Sequence, residues 1–288
     1  MGDEHRSPPP PTVHALLRSF AYAPTGADSY RGETIDVAED FHELAKIPAD
    51  FPGRSLGPGG RWLASTPGSH LELGRKALVS SGPAHRLPAP LPLENDLAET
   101  IRRRRSGLPT DSRPMTQAEL ATVLALSAGR STDPTRRVVP SGGGMYPLDV
   151  IAVVRAVDPL APGAYVYDPI THALRPRTDV DPDEFHARVH RTAPEPPPSP
   201  AVTLAVVATF ARSRVKYGVR GYRFTLMEAG HLAQNALLVA TALGLATVPW
   251  GGFVDAEADH LLELDGVDRS CLYLIGLTRP GTSAGSAP

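Results

Sequence analysis

The sequence has little cysteine, little net charge and no long apolar run. Cys271 is the single cysteine among 288 residues, which excludes an internal disulfide and a cysteine-rich metal site. No apolar run is long enough to cross a membrane, and the proline-rich start lacks the apolar core of a signal peptide. The net charge of −2 gives no general reason to expect a nucleic-acid partner. We therefore expect a cytoplasmic protein that needs neither a membrane, a nucleic acid nor a metal ion.

Proline and glycine, in contrast, are abundant, with 31 and 26 residues. They concentrate outside the periodic segments, which indicates long irregular connections. The hydrophobic content of 41% is enough for a core. We expect a partly disordered N-terminal extension over residues 1–90, a folded domain over 91–280 and a flexible tail over 281–288. The proline-rich stretch 83–92 is the predicted boundary.

Helices and strands alternate without a regular pattern. The spacing of apolar residues and caps predicts helices over 37–46, 96–105 and 226–243, with others after Thr116, Asp181 and at Asp255. Strands are predicted over 149–157, 164–167, 173–175, 201–210 and 271–277, and the strand at 201–210 is apolar on both faces and should be central. Because there is no repeated βαβ order, the fold class is α+β. A Rossmann fingerprint, a P-loop, H-E-x-x-H and G-x-S-x-G are all absent, so the sites that these motifs build are not expected.

Three segments could carry chemistry. Arg104, Arg105 and Ser106 offer guanidinium and hydroxyl donors that suit a phosphate, although by themselves they are more often a solvated basic helix end. The glycine-rich loop at 141–144 would let a flat ring lie against the backbone, or is simply a tight loop before a strand. Lys216 and Tyr217 could act as general base and acid, or be a surface lysine beside a packed tyrosine.

The pair His186 and His190 has a spacing on one helix face that can bind a metal ion. No third ligand is evident nearby. We therefore interpret both as polar residues on the protein surface.

The order of these segments is more specific than any one of them. The chain has R-R-S near a helix end, P-S-G-G-x-x-Y-P before a strand, K-Y-G-x-R-x-Y-R at 216–223, E-A-G-H-x-x-Q-N at 228–235, and then G-L and G-G-F. Over about residues 91–280 this resembles the nitroreductase superfamily and, within it, the SagB-type dehydrogenase branch. The resemblance implies a nitroreductase-like α+β fold with a central, mainly antiparallel sheet flanked by helices. It also implies an intertwined homodimer with FMN as cofactor.

The resemblance carries roles over by position. By resemblance, the FMN phosphate and ribityl chain are held by Arg104, Arg105, Ser106 and, from its place after the last strand, Arg279. The flavin ring lies along Pro140, Ser141, Gly142 and Gly143, and its N5 edge faces Gly251 and Gly252. The catalytic residues are Lys216 and Tyr217. One position departs from the pattern, because Leu108 stands where nitroreductases commonly have a basic residue.

The implied activity is oxidation of an azoline ring in a ribosomal peptide, or in a related natural product, to an azole. Lys216 or Tyr217 would be the base, and a partner cyclodehydratase or carrier could deliver the substrate. Two alternatives remain open. One is an NAD(P)H-dependent flavin reductase of nitro, quinone or enone compounds, and the other is a catalytically silent scaffold in a biosynthetic complex.

Overall fold

The computed structural model describes residues 37–47 and 82–281. The predictions for the rest of the N-terminal extension and for the tail after residue 281 lie outside these ranges. The chain divides into two units, Met1–Pro52 and Gly53–Pro288. In the first unit, helix α1 spans Val37–Leu44. This agrees with the predicted helix at 37–46 to within two residues.

The second unit is built from short helices and mostly short strands. In chain order they are β1 (His85–Arg86), α2 (Leu97–Arg103), β2 (Ser112–Arg113), β3 (Met115–Thr116), α3 (Gln117–Ala128), β4 (Leu148–Val154), β5 (Val157–Asp158), β6 (Gly163–Asp168), β7 (Ala173–Thr178), α4 (Pro182–Val189), β8 (Val202–Thr209), α5 (Phe210–Tyr217), α6 (Arg220–Ala242), β9 (Ala246–Trp250), α7 (Asp255–Leu261) and β10 (Arg269–Pro280). None of the helices within the described ranges is long and apolar enough to span a membrane.

The main sheet in the described part of the chain has eight strands in the order β1-β7-β6-β4-β8-β10-β2, with β9 also paired to β10. All of its pairings are antiparallel. The strands β3 and β5 form a separate parallel pair. Strand β8 lies in the middle, as its apolar character on both faces predicts. The predicted α+β fold with a mainly antiparallel sheet is confirmed.

Two hydrophobic cores lie on opposite faces of this sheet. Along β4, Val150 and Ala152 belong to one core, and Ile151 and Val153 belong to the other. This alternation follows from the two-residue period of a strand. Helices α3 and α6 cover the first face, and α4 and α7 cover the second. The sheet is therefore buried on both sides, which explains why its central strands are apolar throughout.

The caps of two helices form as their sequences predict. Thr116 accepts a hydrogen bond from the Glu119 amide while the Glu119 carboxylate accepts one from the Thr116 amide, which completes the capping box of α3. Asp181 caps α4 by accepting hydrogen bonds from the Asp183 and Glu184 amides. However, α2 ends at Arg103 instead of the predicted Arg105, because Arg104 has extended backbone angles. The R-R-S segment is thus a loop and not a helix end.

Residues 210–217, between the predicted strand at 201–210 and the predicted helix at 226–243, form α5, a helix that the sequence did not predict. Gly218 then reverses the chain with φ 57° and ψ −137°, a conformation open essentially to glycine alone. At Gly221 a side chain would meet the backbone of Arg214 at 2.9 Å, so the start of α6 touches α5 closely. This tight turn fixes Lys216 and Tyr217 at the end of α5.

Candidate functional site

The R-R-S segment lies beside the start of β9. Ser106 forms an isolated parallel bridge with Thr247, and the Gly107 amide donates to the Thr247 carbonyl over 3.0 Å. Arg104 Nη1 donates to Ser106 Oγ over 3.2 Å. A cavity of about 280 Å³ opens here between this segment, the end of α6 and the start of β9. Arg105 and Ser106 line it, so a cation and a hydroxyl face a space that suits a phosphate.

Arg279 lies one strand away, near the end of β10. Its guanidinium forms an ion pair with the buried Glu119 carboxylate at the start of α3. Pro280, the next residue, lines the same cavity as Arg105. The predicted phosphate contact would therefore have to share the guanidinium with Glu119.

Leu108, the departure from the family pattern, packs into the fold. A side chain at Gly276 would meet Leu108 Cδ1 at 3.3 Å and the Trp250 ring at 2.5 Å. Leu108 is therefore part of the apolar packing around Trp250. Arg103, Arg105, Ser106 and Thr241 are the polar residues that line the cavity at this end of the site.

The glycine loop lies directly against Lys216 and Tyr217. A Cβ atom added at Gly143 would be 2.5 Å from Lys216 Nζ and closer still to Tyr217 Oη. Gly143 also has φ 63°, which other residues rarely adopt. The ammonium group lies 5.3 Å from the centroid of the Tyr217 ring. Two segments that are more than seventy residues apart in sequence thus meet, with both proton-active groups half-buried at the loop surface.

Phe224 on α6 supports this arrangement from below. A side chain at Gly142 would meet the Phe224 ring at 3.3 Å, and the Tyr217 and Phe224 rings make an edge contact at 4.9 Å between centroids. A wider cavity of about 680 Å³ opens beside the loop and is lined by residues 135–141, Gly143, Gly144 and Tyr146. The loop therefore has a packed face and an open face.

A buried polar cluster under the loop was not predicted from the sequence. Arg212 on α5 pairs with Asp149 on β4 at 2.9 Å, and both side chains are at most 5% exposed. Arg137 donates to the Leu148 carbonyl over 2.9 Å and lies over the Tyr146 ring. Glu228 on α6 is 3% exposed and accepts a hydrogen bond from the Ser141 hydroxyl.

Burial raises the pKa of Glu228 to about 7, against the opposing effects of the Ser141 hydroxyl and the Arg137 guanidinium. The one sequence signal for this residue was its place in E-A-G-H-x-x-Q-N. Its burial depends on how α6 packs, so no local pattern reveals it.

Gly251 and Gly252 follow β9, and both are exposed. They come four and five residues after Thr247, so they lie about 13 Å along the chain from the R-R-S segment, at a strand rise of about 3.3 Å per residue. A side chain at Gly251 would come no closer than 3.9 Å to its nearest neighbour, Tyr273. The backbone here is open to a ligand.

The predicted site residues therefore form two groups within one chain. The R-R-S segment and β9 meet the end of α6 at Thr241, whereas the glycine loop, Lys216 and Tyr217 meet its start at Phe224. These two points on α6 are about 25 Å apart, at a rise of about 1.5 Å per residue. One chain does not bring the two groups together.

Several small residues of α6 pack within their own chain. Ala233 and Ala240 are buried in the core of their own chain, where α6 packs against α3. The exposed apolar residues of α6 lie elsewhere on the helix, at Tyr222, Leu226 and Met227.

The interpretation of His186 and His190 as surface residues is wrong. Both are buried, and their rings pack against each other and against Trp250, with the His190 and Trp250 centroids 4.6 Å apart. His186 Nε2 bonds to the Pro197 carbonyl at 2.8 Å, while His190 Nε2 has no hydrogen-bond partner among the described residues. Among the described residues, no group of three or more potential ligands could hold a metal ion. The pair supports the base of the Gly251–Gly252 turn.

Burial lowers the pKa of His190 to about 4. Between about pH 6.5 and pH 4, His190 is therefore protonated in the unfolded chain but neutral in the folded chain. The free energy of unfolding consequently decreases as the pH falls through this range. We expect this residue to contribute a loss on the order of 1–3 kcal/mol in the free energy of unfolding. His190→Phe, which keeps the ring packing, should remove that part of the slope in urea unfolding between these pH values. The exposed His231→Gln should retain it, and equal slopes in wild type and His190→Phe would contradict the assignment.

Comparison with known proteins identifies the family of the chain. The family model described as the nitroreductase family matches residues 101–277, which is more than half of the chain. The chain belongs to the nitroreductase family. Family membership indicates an oxidoreductase.

The relatives divide between two kinds of protein. MJ1384 of Methanocaldococcus jannaschii, whose name assigns it to the nitroreductases, is 34% identical over 171 residues, which cover 59% of this chain and 86% of that protein. The microcin B17-processing protein McbC of Escherichia coli is 26% identical over 242 residues, 81% of this chain and 86% of McbC.

A solved structure, the E. coli microcin synthetase McbBCD complex with truncated pro-MccB17 bound, matches with a TM-score of 0.55 and 25% identity, covering 85% of this chain and 92% of that chain. Together with McbC itself, this match confirms the predicted relationship to the SagB-type branch of the nitroreductase superfamily.

The residues present fit a flavin nucleotide. Arg105 and Ser106 line a cavity of suitable chemistry for the phosphate, and the glycine loop borders a second cavity of about 680 Å³. Gly251 and Gly252 are exposed at the turn after β9. When bound, a flavin would supply the two-electron acceptor that no side chain of the protein can provide.

Proposed function

We propose that this protein is an FMN-dependent dehydrogenase of the SagB type, which oxidises an azoline ring in a ribosomal peptide or related natural product to an azole. The observation that carries the proposal is the convergence of Lys216 and Tyr217 on Gly143 of the glycine loop. Both groups can take or give a proton, and they lie where a ring held along the loop would be within reach. The similarity to McbC supports the same substrate class.

In this proposal the chain's own residues bind, orient and move a proton. Arg104, Arg105 and Ser106 hold the phosphate, with Arg279 close by. Pro140, Ser141, Gly142 and Gly143 border the ring. Lys216 or Tyr217 removes the proton from the azoline carbon that becomes part of the aromatic ring. The exposed amides of Gly251 and Gly252 stabilise negative charge by donating hydrogen bonds in a fixed position.

The complete site would form in a homodimer. The phosphate-binding residues and the residues around Lys216 lie about 25 Å apart along α6 of one chain. A second copy could bring its glycine loop to the phosphate-binding end of the first. The exposed side chains of Tyr222, Leu226 and Met227 provide apolar surface for such a contact.

A peptide substrate would arrive with help from a partner. The relative structure holds McbC's assembly, McbBCD, with a truncated precursor peptide bound. By analogy, we propose that a cyclodehydratase or carrier presents the azoline-containing peptide to this protein.

The test is the visible spectrum of the purified protein, followed by anaerobic NADPH and then by an azoline-containing peptide. We expect bound flavin that NADPH leaves oxidised and that the azoline peptide reduces. Rapid bleaching by NADPH without azoline oxidation would instead favour a nitro, quinone or enone reductase, which the name of MJ1384 makes the leading alternative. Protein that takes up no FMN would favour the silent scaffold.

A further inference from the structure

The cavity beside the R-R-S segment has a second cation on its wall. Arg103, the last residue of α2, lines this cavity together with Arg105 and Ser106. Of the described residues on the wall, these two arginines are the ones that carry charge. Because Arg103 precedes the R-R-S motif, the family pattern assigns it no role.

The other basic positions around this cavity are engaged elsewhere or have lost their charge. Arg104 Nη1 donates to Ser106 Oγ over 3.2 Å. The Arg279 guanidinium forms an ion pair with the buried Glu119 carboxylate. Leu108 is apolar at the position where nitroreductases commonly have a basic residue. The cation that the family pattern places there must therefore come from another residue.

A phosphate group in this cavity would need more than one cation. A phosphate monoester carries about 1.5 to 2 negative charges at neutral pH. Thr241 and Gly244, at the C-terminal end of α6, also line the cavity, and the C-terminus of a helix carries partial negative charge. The helix end therefore does not attract the anion, and Arg105 alone would leave part of the phosphate charge uncompensated. Arg103 can supply the second positive charge.

The present partner of Arg103 holds it only weakly. Its Nη1 lies 3.6 Å from Glu99 Oε1, one helical turn earlier, and the two side chains are 56% and 62% exposed. An exposed ion pair at this spacing contributes little to stability. Bonds from a guanidinium to a phosphate are charge-assisted and can be bidentate, so they are stronger. The Arg103 guanidinium can therefore exchange Glu99 for a phosphate at small cost.

We propose that Arg103 binds the phosphate of the flavin nucleotide together with Arg105 and Ser106, and so replaces the basic residue that the family pattern places at position 108. Arg104 acts through Ser106, because a bond donated to the serine oxygen leaves the hydroxyl proton free to donate to the phosphate. The inference rests on the proposed function for the identity of the ligand. The place of Arg103 on the cavity wall does not depend on it.

The experiment compares the affinities of the flavin-free, full-length protein for FMN and for riboflavin, which lacks the phosphate. Arg103→Gln should weaken FMN binding roughly fivefold to fiftyfold and riboflavin binding by less than about twofold. Arg102→Gln is the matched control, since it removes the same charge from the neighbouring exposed residue of α2, which is not on the cavity wall. It should change both affinities by less than about twofold.

Glu99→Gln tests the exchange of partners in the opposite direction. Without the competing carboxylate, Arg103 is free for the phosphate, so FMN binding should strengthen by up to about threefold. The gain should disappear in the Glu99→Gln, Arg103→Gln double variant, and riboflavin binding should not change. If the pair only stabilised α2, Glu99→Gln would weaken the binding of both ligands or change neither, and this result would contradict the exchange.

Equal FMN affinities of Arg103→Gln and Arg102→Gln would overturn the proposal, as would an equal loss of FMN and riboflavin affinity in Arg103→Gln. Inorganic phosphate gives a readout that needs no flavin. At constant ionic strength it should raise the midpoint of thermal unfolding more for wild type and Arg102→Gln than for Arg103→Gln. A protein that bound neither flavin would contradict the proposed function, while equal phosphate effects in the three proteins would overturn the role of Arg103.

Discussion

Gly143→Ala is expected to reduce azoline oxidation by at least about tenfold while the protein still folds. A Cβ at this position would lie 2.5 Å from Lys216 Nζ and closer to Tyr217 Oη, so the loop or both side chains must move. The positive φ of 63° adds a backbone cost of roughly 1–2 kcal/mol. That cost is within the stability of an ordinary domain, whereas displacing the proton-active groups by about 1 Å is enough to cost orders of magnitude in rate. Turnover with the azoline peptide and thermal unfolding together measure both effects.

Gly266→Ala provides the matched control for backbone strain. Its φ is 71°, close to that of Gly143, and its Cβ would meet a side-chain atom of Asp259 at 3.2 Å, away from the loop. It should lose similar stability and keep its turnover. If both variants lost the same activity, the effect would be general strain, and the contact of Gly143 with Lys216 and Tyr217 would not be important for catalysis.

Removing the proton-active pair is expected to have the largest effect. The double variant Lys216→Ala with Tyr217→Phe should lower azoline oxidation by roughly two to four orders of magnitude, the usual range for loss of a general base or acid. Both groups are half-buried beside the loop, so they have restricted positions. Flavin absorbance should be retained, because neither residue is proposed to hold the phosphate. Full azoline oxidation by a double variant that still binds FMN would rule out this pair as the catalytic residues.

The single variants separate the two roles. Lys216→Arg keeps the positive charge but cannot accept a proton, because a guanidinium does not ionise in this range. If Lys216 is the base, this variant should be as slow as Lys216→Ala. If Lys216 serves only by its charge beside Tyr217, Lys216→Arg should retain most of the activity and Tyr217→Phe should lose it.

The local structure could be predicted well where neighbours in the sequence decide it. The capping box of Thr116 and Glu119, the Asp181 cap and the buried strands β4 and β8 depend on residues a few positions apart or on a two-residue period. The sequence did not predict helix α5 because most of its residues are polar. It also follows strand β8 directly, and no side chain caps its first turn. The end of α2 was placed two residues late because arginines are good helix formers.

The chemistry of individual side chains was harder to predict. His186 and His190 have the spacing of polar residues on a helix surface, yet Trp250 from a distant strand covers them. Glu228 lies on a helix whose exposed and buried sides are not strongly different in polarity, so its burial depends on packing against β4 and the loop. A carboxylate acquires an unusual pKa from such surroundings and not from its own sequence neighbours.

The sequence alone therefore determined the fold class, the family and the segments that could carry chemistry, because motif order, caps and strand periodicity are local properties of the chain. The tertiary structure decided which segments meet. It brought Gly143 against Lys216 and Tyr217, tied Ser141 to Glu228, and placed the R-R-S segment at the opposite end of α6. Contacts between segments far apart in sequence arise from sheet pairing and helix packing. These contacts set the distances between reactive side chains and the burial of their charged groups, on which reactivity depends.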